Sequence, residues 1–286
     1  MTQHARAALP PKHIIETDAR RALEEDLGPG DLTANLLARD CMASAEVISR
    51  EQAILCGTAW FEAVMHQIDP KIHIEWQADD GEQIAADRLL CRLHGSARSL
   101  LSAERSALNF LQTLSATATQ ARHFVEAVAH TRAVILDTRK TLPGLRHAQK
   151  YASRCGGACN HRSGLYDGIL IKENHILAAG GIEAAVATAR QSISQAQIVV
   201  EVETLEELEQ ARQAGAHRVL LDNFTLAMMR QAVEQVAGTL ALEASGGIDL
   251  GTIATIAETG VDFISVGAIT KHVQAIDLSM RIREMV

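Results

Sequence analysis

IVVEVETLEELEQARQAGAHRVLLDNFTLAMMRQAVEQVAGTLALEASGG, residues 198–247, decides the fold. Three short apolar runs, IVVEVET (198–204), RVLLDN (218–223) and LALEASGG (240–247), are separated by stretches of helical spacing at 205–214 and 225–237. Strands joined by a helix each time lie parallel, because a parallel pair needs a crossover about a dozen residues long or longer. The alternation continues downstream through a helix-like 249–259 into FISVGAIT (263–270). It continues upstream through a helix-like 181–191 to GILIKENH (168–175) and AVILDTRK (133–140). The expected fold class is therefore α/β, a β/α repeat with six clear strands, which predicts an incomplete or irregular barrel.

Nearly every run ends in a polar or glycine-rich cluster: Arg139-Lys140, Lys172-Glu173, Glu201, Asp222, Ser245-Gly246-Gly247 and Gly267. In a β/α barrel the strand C-termini converge on one face and build the site. Ordinary strand-to-helix connections account for one charged strand end, but badly for a whole set of both signs.

The N-terminal third reads differently. Residues 14–27 have helical spacing and stop at Gly28-Pro29-Gly30, while 45–57 and 72–93 read as strands with Asp80-Gly81 as a turn. Residues 98–128 return to helix, with Leu100, Leu101, Leu108, Leu111 and Leu114 as the apolar stripe. The expected division is a helix-plus-sheet domain over 1–104 and a barrel over 105–286, with a C-terminal helix at 275–286 able to pack on the first domain.

Composition narrows the function. The 286 residues carry a formal net charge of −8, a poor basis for general nucleic-acid binding. The five cysteines are odd in number and lack paired spacing, which reads as reduced thiols in the cytoplasm. Cys155, Cys159 and His161 lie close together, but their spacing matches no common zinc site. No signal peptide and no stretch able to span a membrane is visible.

Three residue sets carry chemistry. Arg139, Lys140, Arg162 and Lys172, with His161 beside them, are costly around one mouth unless an anion binds there, and arginine suits carboxylate or phosphate. Glu201 and Asp222 end apolar runs and suit Mg²⁺ bridging phosphates. Salt bridges to Lys172 or Arg139 are the competing reading, and Glu203 competes with Glu201 by spacing. SGGI (245–248) and SVGAIT (265–270) follow the last two strands, where glycine-rich turns recurrently hold phosphate.

Those residues resemble a known family. DTRKTLPGLR (137–146) and GGACNHRSGLYDGILIKENH (156–175) look like the quinolinate phosphoribosyltransferases. So do EDLGPGDLT (25–33), ERSALNFLQTLS (104–115), VEVET (200–204), LLDNF (220–224) and VDFISVGAITKHVQAIDLSMR (261–281). The resemblance covers nearly the whole chain in order. It implies an N-terminal α/β sandwich domain, an irregular open α/β barrel, and a homodimer in which Arg105 reaches the neighbouring barrel. It further implies that Thr138, Arg139, Lys140, His161, Arg162 and Lys172 line the quinolinate and phosphate pocket. Glu201 and Asp222 would serve the ribose, pyrophosphate and Mg²⁺ end. Ser245, Gly246 and Gly247, with Val266, Gly267 and Ala268, would hold the 5′-phosphate. The implied reaction joins quinolinate to the phosphoribosyl group of phosphoribosyl pyrophosphate and then releases CO₂. A Schiff-base aldolase using Lys172, a transferase acting on nicotinate, and a non-catalytic phosphate-ligand binder are the alternatives.

Overall fold

A computed structural model of the chain describes residues 7–192 and 196–285, without the side chains of Asn35 and Ser192. The first elements are α1 (Lys12–Leu27), β1 (Met42–Ser49), β2 (Ala53–Ile54), α2 (Thr58–Ile68), β3 (His73–Trp76), β4 (Gln83–Ile84) and β5 (Leu89–Ser96). A long α3 (Ala97–Ala127) leads to β6 (Val134–Leu136), α4 (Arg146–Cys155), β7 (Ile169–Ile171), α5 (Glu173–Ala179) and α6 (Ile182–Ser192). Then come β8 (Ile198–Val202), α7 (Leu205–Gln213), β9 (Arg218–Asp222), α8 (Leu226–Val236) and β10 (Ala241–Ser245). The chain continues through α9 (Ile253–Ala257), β11 (Phe263–Ser265), α10 (Ala268–Lys271) and β12 (Leu278–Met285).

Two compact units result. One takes residues 1–122, 141–157 and 272–286; the other takes 123–140 and 158–271. Beside the expected 1–104 and 105–286, this grouping puts most of α3 and the segments 141–157 and 272–286 with the first unit.

The first unit is built on an antiparallel sheet in the order β12-β1-β5-β3. Ala43, Ala45, Val47 and Ser49 alternate inward along β1, as a strand with one buried face requires. On its other face Glu46 is paired with Arg92 at 3.4 Å and with Arg283 at 2.7 Å. The expected C-terminal helix at 275–286 is corrected here: Leu278–Met285 is a strand, antiparallel to β1. Its residues alternate, with Leu278 and Met280 buried and Arg281 and Arg283 outward, a period of two that no helix can use. The apolar stripe of α3 also needs one correction. Leu100, Leu108, Leu111 and Leu114 are buried, whereas Leu101 is turned out and 37 % exposed.

The second unit carries a fully parallel sheet in the order β6-β11-β10-β9-β8-β7. Each strand falls inside one of the six apolar runs. Thr204 and Thr225 cap α7 and α8 by accepting from the backbone N–H of Glu207 and Met228, so each run turns directly into its helix. The two edge strands, β6 and β7, are not paired with each other; β6 instead carries a parallel bridge from Leu136 to Cys159. Laid flat, six strands would span about 24 Å. All six nevertheless send residues, or the residue just past their ends, to one cavity, so the sheet is curled and open at one seam.

Candidate active site

The cavity is about 240 Å³ and is lined by Thr138, Arg139, Lys140, His161, Arg162, Leu170, Lys172, Glu201, Leu220, Glu243, Ser245 and Ser265. Eight of the residues singled out from sequence are in that set: Thr138, Arg139, Lys140, His161, Arg162, Lys172, Glu201 and Ser245. Strand alternation explains part of the selection, since Leu170 with Lys172, and Glu243 with Ser245, each lie on one face of a strand.

The cationic side is crowded. Burial, and then the neighbouring Arg139 guanidinium, make the Arg162 proton easier to lose than an arginine's ordinarily is. Arg162 is held by donation from Nη1 to the Gly168 carbonyl at 3.1 Å. Lys140 is shaped by its own strand end: its backbone N–H donates to Thr138 Oγ1 at 3.1 Å, and its carbonyl accepts from Thr270 Oγ1 at 2.9 Å. Gly267 faces this corner. A Cβ there would lie 3.1 Å from Lys140 Cδ and 3.6 Å from Thr138 Oγ1, so a bare backbone leaves the lysine stem its path.

Lys172 Nζ is ion-paired with Glu201 Oε2. The strand ends at Val202, and Glu203 lies beyond it, exposed, with its N–H donating to Glu207 Oε2 at 2.8 Å. The choice that spacing left open thus falls to Glu201. Asp222 lies one step beyond Leu220 on the same face, accepting from Asn223 Nδ2 at 3.0 Å. It pairs in register with Ser245. Gly246 needs to be glycine twice over, with φ at 101° and a Cβ position only 2.3 Å from Asn223 Oδ1. Asp222, Gly246, Gly247, Val266, Gly267 and Ala268 are not among the residues lining the cavity. Val266 turns its side chain into the core, and its N–H donates to the Leu136 carbonyl at 2.9 Å. Arg105 is exposed on α3 in the other unit.

Sequence reasoning missed Glu243, which is fully buried in the middle of β10. Its Oε2 accepts from Arg218 Nη1 at 2.9 Å, and its Oε1 lies 3.4 Å from His161 Nε2. Burial alone would raise its pKa, but the neighbouring His161 ring and Arg218 guanidinium outweigh that and hold the carboxyl below its ordinary range. The signal was present in LALEASGG, as a carboxylate inside an apolar strand. Also missed was the buried Asp137, whose carboxylate accepts from Asn160 Nδ2 at 2.6 Å and from the His161 N–H at 2.9 Å.

A mouth of clustered cations with the Glu201 carboxylate among them, at the C-terminal ends of curled parallel strands, fits a β/α enzyme acting on an anionic substrate. Comparison with known proteins narrows the class. "Quinolinate phosphoribosyl transferase, N-terminal domain" matches residues 31–115, and the corresponding "C-terminal domain" matches residues 117–281. The chain is 40 % identical to a "Probable nicotinate-nucleotide pyrophosphorylase [carboxylating]" of Bacillus subtilis, over 90 % of this chain and 89 % of that one. It is 38 % identical to "Quinolinate phosphoribosyltransferase [decarboxylating] 1b" of Nicotiana tabacum, over 95 % of this chain and 83 % of that one. Its structure is similar to that of the nicotinate-nucleotide pyrophosphorylase from Francisella tularensis, with a TM-score of 0.95, 47 % identity, and coverage of 98 % and 99 %. The chain belongs to the quinolinate phosphoribosyl transferase family.

Proposed function

We propose that this chain converts quinolinate and phosphoribosyl pyrophosphate to nicotinate mononucleotide, pyrophosphate and CO₂, a step of de novo NAD biosynthesis. The observation that carries the reading is the pairing of Arg139 with Arg162, two like charges kept close beside Lys140 and Lys172 in an acidic protein. Such a cluster suits a substrate with two adjacent carboxylates. Arg139, Arg162 and Lys172 hold the quinolinate carboxylates and aim the ring nitrogen at the anomeric carbon. Lys140 faces the departing pyrophosphate, whose charge grows as the ribosyl centre becomes oxocarbenium-like. The Ser245-Gly246-Gly247 and Val266-Gly267-Ala268 turns receive the 5′-phosphate. Once the ring nitrogen carries the ribose, the ring is cationic. The C2 carboxylate then leaves as CO₂, its bonding pair stays on the ring, and a proton from water replaces it. No further cofactor is needed for that step.

Mg²⁺ fits this site as a companion of the substrate. Glu201 near the end of β8 and Asp222 at the end of β9 offer the one or two carboxylates that Mg²⁺ uses when phosphate oxygens complete its shell. Glu201 and Asp222 would hold it, and when bound it supplies charge neutralisation at the pyrophosphate. The five free cysteines are in keeping with a cytoplasmic enzyme.

A homodimer with Arg105 serving the neighbouring barrel belongs to the same reading. Arg105 and Leu101 lie four residues apart on one face of α3, and both are exposed. An outward leucine beside an unburied arginine suits an interface. No helix among the described residues is long and apolar enough to cross a membrane. The aldolase alternative loses ground because Lys172 Nζ is committed to an ion pair with Glu201, whereas a Schiff-base lysine must attack as a free amine.

Product analysis with quinolinate, phosphoribosyl pyrophosphate and Mg²⁺ tests the proposal, with nicotinate in a parallel reaction. Nicotinate mononucleotide, pyrophosphate and CO₂ in equal amounts from quinolinate support it. Turnover of nicotinate alone, or binding without pyrophosphate release, overturns it.

A further inference from the structure

His161 has one ring nitrogen hydrogen-bonded to the backbone and the other beside a buried carboxylate oxygen that has no hydrogen-bond partner. Nδ1 accepts the backbone N–H of Arg162 at 2.7 Å, and a backbone N–H can only donate, so the ring proton sits on Nε2. Nε2 in turn faces Glu243 Oε1 at 3.4 Å. The other oxygen of Glu243 takes Arg218, whose guanidinium also stacks 4.1 Å over the Phe263 ring and donates to Gln197 Oε1 at 3.3 Å. The segment Asn160–Arg162 is therefore stapled from two sides. Asp137 holds it by the Asn160 amide and the His161 backbone, and Glu243 holds it by the His161 ring.

We propose that Glu243 is a positioning residue for the acid-binding half of the site: through the His161 ring it fixes the Arg162 backbone and so aims the Arg162 guanidinium. His161 is then a link between a buried carboxylate and the clamp, and gives quinolinate carbon edges, not a donor. The inference rests on the proposed reaction for the role of Arg162, but the linkage itself can be tested without turnover.

Glu243→Gln is the informative change. Arg218 is charged and competes better for the single remaining oxygen, since charge-assisted bonds are the stronger ones. The amide NH₂ is then turned toward His161 Nε2, where it meets another donor. The ring must move its proton to Nδ1 and give up the Arg162 N–H, or swing away. Adding Arg218→Leu removes the competitor, so the glutamine oxygen is free to accept from Nε2–H again.

The experiment combines ¹⁵N-histidine NMR, with the His161 signals identified by His161→Asn, and steady-state kinetics. Wild type is expected to show His161 as the Nε2–H tautomer. Glu243→Gln is expected to lose that signature and to raise KM for quinolinate about tenfold, the equivalent of one well-formed hydrogen bond. KM for phosphoribosyl pyrophosphate should stay within about twofold of wild type. The double variant Arg218→Leu with Glu243→Gln should recover both the tautomer and the quinolinate KM. An Nδ1–H or doubly protonated His161 in wild type overturns the linkage, as does an unchanged tautomer in Glu243→Gln. Equal rises in both KM values, or a double variant worse than the single, mean a purely structural carboxylate and overturn the positioning role. If Glu243→Gln does not fold, the wild-type spectrum and the double variant decide. Wild type inactive on quinolinate but showing the expected tautomer sinks the proposed reaction while leaving the linkage standing.

Discussion

Arg139 acts on Arg162 as a like charge at close quarters: after burial, it is the main reason that the Arg162 guanidinium holds its proton less firmly than usual. An anion with two acceptor groups bound between them would relieve that repulsion. Arg162→Gln should therefore weaken quinolinate binding by about 2–5 kcal/mol, the usual cost of truncating a desolvated charge partner. Wild type should gain about 2.7 kcal/mol of stability from a dicarboxylate present at a hundredfold excess over its Kd. Thermal unfolding with and without ligand measures both, and no shift in wild type would remove Arg162 from the pocket.

Lys140 belongs to the leaving-group end, on a strand end shaped by Thr138, Thr270 and Gly267. Lys140→Ala should lower kcat about 10²- to 10³-fold, with a smaller effect on KM for quinolinate. Steady-state kinetics near wild type would refute the assignment.

Glu201 is shared with Lys172, which leaves Asp222 as the freer carboxylate for a phosphate-bridging ion. Chelation should abolish pyrophosphate release, and Mg²⁺ should restore it. Asp222→Asn should shift the Mg²⁺ concentration needed for half-activity upward about tenfold. Full activity in excess chelator would sink the metal requirement.

Glu243 gives the fold an acid limb. Its carboxyl lies below the ordinary value of 4.5 when folded, so its stabilising contribution is present above that value and is lost as pH falls through the folded pKa. Glu243→Gln leaves the partly buried Arg218 without its counter-charge and should cost about 2–4 kcal/mol at neutral pH. It should also flatten the fall in stability below the ordinary glutamate value. Urea titrations across pH compare the two slopes; parallel curves would count against the ion pair.

Arg105 can be tested by mixing subunits. Arg105→Ala and Lys140→Ala homodimers each have two defective sites. In a mixed dimer, one site combines an intact Lys140 with an intact Arg105 from the neighbour. Random exchange makes about half the dimers mixed, so activity should return to about a quarter of wild type. No recovery, with exchange confirmed by differently tagged subunits, would place Arg105 in its own barrel's service or in none.

The parts of this molecule that sequence shows are those with a single dominant period. Six apolar runs, four of them ending in charge, yielded six parallel strands, and the charged ends of three of them met in one cavity. What stayed hidden had two readings. Leu278–Met285 is short and mixed, and its alternation was overlooked beside the helical alternative. α4 carries Lys150, Gln149 and Ser153 on buried positions, so no clean stripe marks it. Glu243 sits where a strand interior ordinarily tolerates no charge, and only the partners His161 and Arg218, distant in sequence, make sense of it. The choice between Glu201 and Glu203 needed the point at which β8 stops.

The pairing of β12 with β1 also sets an order of events during synthesis. As the chain leaves the ribosome, Met42–Ser49 emerges with β5 soon available on one side, while its other edge has no strand to meet. The entire parallel sheet is made before residues 278–285 arrive to close that edge. Until then the nascent first unit offers a row of open backbone donors and acceptors to any neighbouring chain, the most adhesive surface a sheet can show. A strand translated after the whole parallel sheet is thus the one that ends this exposure.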